Sequence, residues 1–72
     1  MSVISDKLSA RFGPNLRRLR ERERWTQEEL AERMSVSGPY VSMLEAGGRV
    51  PSLEVIEAVC FVFQVQVGEL FK

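Results

Sequence analysis

Four consecutive residues, Thr26-Gln27-Glu28-Glu29, constrain the fold of this chain more than any others. They form a capping box: the Thr26 hydroxyl is placed to accept the amide of Glu29, and the Glu29 carboxylate can reach back to the amide of Thr26. Trp25 before the cap and Leu30 after it add a hydrophobic staple, so a helix is predicted to begin here at a fixed angle. Leu30, Ala31 and Met34 fall on its inward face, and the helix ends near Met34. Ser35-Val36-Ser37 then reads as a short turn. Ser37 can cap a further helix that carries Gly38 and Pro39 in its first turn, where a missing N–H costs nothing. Val41 and Leu44 mark its buried side, and Gly47, with Gly48 behind it, is a C-terminal glycine cap. Two short helices joined by a tight turn therefore occupy the centre of the chain.

The flanks are helical as well. Leu8, Phe12, Leu16 and Leu19 recur at spacings of four, four and three, which is one apolar helix stripe. Pro14 interrupts it, because proline lacks an N–H and crowds the carbonyl of Ala10. The spacing predicts a kinked or two-piece helix 1 from roughly Asp6 to Glu23. After Val50-Pro51 breaks the chain, Ser52 can cap helix 4 over about Leu53 to Phe63. Cys60 to Val67 is rich in strand formers. A lone strand would have no partner elsewhere in the chain, so helix is the expectation there too. A short fifth helix around Val67 to Phe71 closes a single all-α, five-helix domain over residues 1–72.

Composition excludes much. The 72 residues contain no His and one Cys, so His-based metal sites, Ser-His or Cys-His nucleophile pairs and an internal disulfide cannot be built. There is no GxxxxGK[ST], no GxGxxG and no paired metal ligands. No enzyme activity, cofactor or metal is expected. No apolar stretch approaches the ~20 residues of a membrane span, and no signal-peptide pattern opens the sequence; a cytoplasmic protein is expected. The net charge is zero but unevenly spread. Residues 1–24 hold seven basic and three acidic residues (7 − 3 = +4), and the remainder three basic and seven acidic (3 − 7 = −4). Such asymmetry between halves points to a nucleic-acid or membrane surface.

From Gly13 to Phe71 the chain resembles the phage repressor and Cro type of helix-turn-helix DNA-binding domain, the Xre family. The resemblance lies in Leu19-Arg20, in Trp25 to Ala31, and in Val36-Ser37 leading to Tyr40-Val41-Ser42. It continues through Leu44-Glu45, Gly47, Pro51-Ser52-Leu53-Glu54 and Gly68-Glu69-Leu70-Phe71. Tyr40-Val41-Ser42 and the small size also resemble the controller proteins of restriction–modification systems. What the resemblance implies is a transcription regulator bound to double-stranded DNA. Thr26, Gln27 and Arg49 would contact backbone phosphates, the first two at a helix N-terminus whose dipole favours anions. Arg20 and Glu45 would meet as a largely buried ion pair bracing helix 1 against helix 3. Helix 3 would enter the major groove, with Ser37, Gly38, Pro39, Tyr40, Ser42 and Met43 as the base-facing set.

Two departures from the family pattern stand out. Gly38 and Pro39 offer no side-chain hydrogen bond and Met43 only a weak acceptor, so direct base readout is thin. Either specificity leans on DNA shape and spacing, or this copy serves another partner. Helix 4 and the segment after it are also apolar where relatives are polar. Val55, Phe61, Val62, Val67 and Phe71 are the candidate contacts of a homodimer acting on two half-sites. The alternative function is an antitoxin-like or adaptor module that uses the same fold to hold a partner protein.

Overall fold

Helix α2 (Gln27–Met34) begins where the capping box requires. Thr26 Oγ1 accepts from the Glu29 amide at 3.0 Å, and the Thr26 amide donates to Glu29 Oε1 at 2.7 Å. Helix α3 (Gly38–Ala46) follows, with Ser37 Oγ accepting from the Tyr40 amide at 3.2 Å and Gly47 ending it at φ 82°. The computed structural model describes residues 3–72, with side chains from Leu8 onward; Asp6 and Lys7 of the N-terminal charge tally lie outside the described side chains. Helix α1 spans Val3–Arg22 and helix α4 Leu53–Phe63, the latter capped by Ser52 Oγ on the Val55 amide.

The expected fifth helix is instead a single 3₁₀ turn, Val67–Leu70, so the domain has four α-helices and no strand among the described residues. Gln64, at φ 56°, turns the backbone out of α4. The element that follows is four residues long, the usual length of a 3₁₀ piece. Helix α1 runs unbroken through Pro14. Gly13 has no Cβ to clash with the proline ring, which reduces the usual penalty on the preceding residue. Ala10, whose carbonyl loses its donor, is exposed to water.

Phe12, Leu16 and Leu19 of α1 meet Leu30, Ala31 and Met34 of α2 and Val41 and Leu44 of α3 in one core, completed by Val55, Val59, Phe63 and Leu70. Leu8, at the outer end of the α1 stripe, is 44% exposed. Helix α1 lies directly on the C-terminal end of α3: a Cβ on Gly13 would fall 2.5 Å from the Glu45 carbonyl oxygen and 2.7 Å from that of Leu44. The backbones can approach this closely only at glycine. Asn15, the one buried polar residue among the described residues, ties the chain end to α1. Its Nδ2 donates to the carbonyls of Arg11 (2.9 Å), Leu70 (3.1 Å) and Lys72 (3.4 Å), and its Oδ1 accepts from Arg18 at 3.0 Å. Among the described residues three that are not glycine, Arg24, Ser35 and Gln64, have φ near +60°, each where a helix gives way to a turn.

Candidate nucleic-acid interface

A charged network joins the three N-terminal helices. Arg20 of α1 donates from Nε to Glu45 Oε2 at 2.6 Å and from Nη2 to Oε1 at 3.1 Å, a two-pronged pair with the end of α3. Its Nη1 donates to the Trp25 carbonyl at 2.7 Å, fixing the loop before α2. The side chains are 12% and 5% exposed, so each charge depends on the other for solvation. The Arg20 pKa is raised above its ordinary value, first by the hydrogen bond to Glu45, with desolvation working against it.

Gln27, in the first turn of α2, joins the same carboxylate: its Nε2 donates to Glu45 Oε1 at 3.0 Å. The amide nitrogen carries two hydrogens, so one stays free after this bond. Thr26 Oγ1 accepts from Glu29, which leaves its own hydrogen free to donate. Beside them opens a cleft of about 260 Å³, lined by Arg17, Arg20, Gln27, Ser42, Glu45 and Ala46. Arg17 carries an exposed pair with Glu21 at 3.0 Å, one turn along α1.

The base-facing set does not lie on one surface. Pro39 and Met43 are exposed and one turn apart on α3. Ser42 belongs to the cleft on the α1 side. Tyr40 is half-buried on the other side of α3, facing a separate depression shared with Met34, Val36, Ser52, Val55 and Ala58. The Arg49 guanidinium carbon sits 5.8 Å from the centre of the Tyr40 ring, which brings Arg49 back towards α3. Ser37 is exposed, and its oxygen is engaged by the Tyr40 amide.

The apolar set on and after α4 needs a correction. Val55 is 9% exposed and belongs to the core. Val55 and Val62 are seven apart and could share a face, but the buried stripe of α4 is Val55, Val59 and Phe63 at spacings of four. Val62 and Phe71 are half-buried against the core, with the Phe71 ring 5.9 Å from that of Phe12. Phe61 (77%) and Val67 (54%) remain exposed, joined by Leu53 at 78%.

Sequence reasoning missed Asn15, Gly13 as the point of helix contact, and a surface stack. Trp25 lies 5.4 Å from the Phe63 ring, and the Arg33 guanidinium covers it at 4.0 Å. The eight-residue spacing of Trp25 and Arg33 carries no helix-face signal, since Trp25 precedes α2. Among the described residues, no group of three or more His, Cys, Asp or Glu could hold a metal, and no helix is long and apolar enough to cross a membrane.

The short turn between α2 and α3, with α1 braced across both, defines a helix-turn-helix domain. A family profile described as helix-turn-helix domain matches residues 11–70, and the chain belongs to that family, as an Xre-like DNA-binding domain. Among its relatives is the HTH-type transcriptional activator BcrR of Enterococcus faecalis, 36% identical over 61 residues, 85% of this chain and 30% of the relative. An HTH-type transcriptional regulator of Mycobacterium tuberculosis, in two strains, is 36% identical over 59 residues, 82% of this chain and 42% of the relative. The chain thus spans less than half the length of these relatives.

Proposed function

We propose that this domain binds operator DNA as a homodimer and so regulates transcription, the activity named for its relatives. The observation that carries this is the Arg20–Glu45–Gln27 network. It holds the first turn of α2 rigidly beside the exposed face of α3, the geometry in which one helix grips phosphates and the next lies in the major groove. Glu45 satisfies Arg20 and holds Gln27, whose second amide hydrogen, with the Thr26 hydroxyl, would serve a phosphate. Arg49 supplies the full positive charge on the far side of α3. Exposed Phe61 and Val67 form the centre of the dimer contact, with Val62 and Phe71 at its edge.

Binding to a half-site, a full site with centres about 34 Å apart and a full site of altered spacing, at one salt concentration, tests this. Marked preference for the correctly spaced full site is expected; equal affinity for all three excludes a dimeric operator reader. Arg49→Ala should weaken binding to all sequences alike and reduce the salt slope by about 0.9, one phosphate's worth. The bare first turn of α3 and the apolar face of α4 favour a second function, a module that holds a partner protein. Absence of salt-dependent duplex binding selects that function.

A further inference from the structure

Gly38 and Pro39, which open α3, offer no polar side-chain atom, and Met43, one turn further on, offers only a thioether. The space above Gly38 is nevertheless filled. A Cβ on Gly38 would fall 2.6 Å from Glu28 Oε2 and 3.4 Å from Glu28 Cδ. The carboxylate of α2 thus stands where a side chain of residue 38 would begin. It has no part in the cap, which uses Glu29, nor in the Arg20 network, which uses Gln27. Glu28 is exposed.

We propose that Glu28 is a specificity-determining residue of the domain, an acceptor supplied by α2 to the first turn of α3 that reads the N4 amino group of a cytosine. This rests on the DNA-binding function above. An ionised carboxylate only accepts hydrogen bonds. In the major groove cytosine presents a donor, guanine two acceptors, thymine an acceptor and a methyl group, and adenine an acceptor beside its donor. Cytosine is the one base whose edge opposes no lone pair to the carboxylate. The glycine at 38 is part of the device, since a side chain there would displace Glu28. A negative charge adds no affinity for a polyanion, so Glu28 contributes discrimination rather than strength.

The experiment is selection of the unmodified chain, E28Q and E28A on randomised duplexes at one salt concentration, with circular dichroism to verify folding. The unmodified chain should enrich cytosine at one position per half-site by about fivefold to tenfold, the lower end of one good base contact. E28Q should move that preference to adenine, whose N6 and N7 match an amide. E28A should lose preference at that position alone and bind sites without cytosine at least as tightly as before. Cytosine preference retained in E28A or E28Q, no cytosine position in the unmodified chain, or loss of preference at all positions alike in E28A overturns the assignment. Specific binding without Glu28-dependent cytosine overturns this proposal alone; no binding of the unmodified chain to any duplex overturns the DNA-binding function with it.

Discussion

The corner where α1, α2 and α3 meet and the outer face of α4 solve opposite problems. At the corner, charges are withdrawn from water and every one has a partner: Arg20, Glu45 and Gln27 share one network, and among the described residues no buried side-chain polar atom lacks a hydrogen bond. On α4 and the turn after it large apolar groups stand among the exposed residues: Leu53, Phe61 and Val67 each show more than half their surface to solvent. Buried charges specify one arrangement, because every alternative leaves an ion unpaired. Exposed apolar groups specify nothing inside the monomer; their energy is released only when something covers them. The first region therefore encodes shape; the second is the surface that the proposed dimer would use.

Removing half of the buried pair is the strongest way to break that contrast. Arg20→Ala or Glu45→Ala should cost about 3–5 kcal/mol in thermal or denaturant unfolding, since each strands the other charge. Because the Arg20 pKa lies above its ordinary value, this stability is fully present below that value and lost only as pH rises through the raised one. A difference between unmodified and Arg20→Ala melts that stays constant across the neutral range is therefore expected from Arg20. A normal melt for Arg20→Ala with lost DNA affinity would make Arg20 a DNA ligand instead. Gly13→Ala comes next. Its Cβ would overlap two α3 carbonyls, and a loss of about 1–3 kcal/mol follows from overpacking. Phe61→Lys should have the smallest effect on the fold, within about 0.5 kcal/mol, because the side chain is exposed. Sedimentation should then show a folded monomer for Phe61→Lys and, under the proposed function, a dimer for the unmodified chain; a monomeric unmodified chain at high concentration removes the proposed association role of α4.

The helix starts were legible because a cap is a local event: Thr26, Ser37 and Ser52 each need only an amide three residues on. The Arg20–Glu45 pair joins residues 25 apart and came through the family resemblance, since no periodicity links them. Asn15 stands inside an apolar stripe, a visible anomaly, but two of its partners are carbonyls 55 and 57 residues away. Nothing local encodes that contact. For α4 the ambiguity was one of phase: a spacing of seven groups Val55 with Val62, whereas packing selects the spacing of four that buries Val55. The candidate site was legible as a list of residues and not as a surface. Which side of α3 Tyr40 and Ser42 face depends on how α1 and α4 flank it.

The left-handed residues at Arg24, Ser35 and Gln64 have a consequence for thermal tolerance. A side-chain-bearing residue in this conformation is strained by roughly 1–2 kcal/mol, a strain that glycine escapes. Glycine gives part of that back through the greater freedom of the unfolded chain, leaving a net gain of about 0.5 kcal/mol at each position. In a domain of this size 1 kcal/mol corresponds to about 4–8 °C in Tm, so a triple replacement would raise the melting point by roughly 6–12 °C. None of the three side chains belongs to the Arg20 network or the buried core. By this arithmetic the chain should melt several degrees below the triple glycine variant, a margin held at three backbone torsions rather than in its packing.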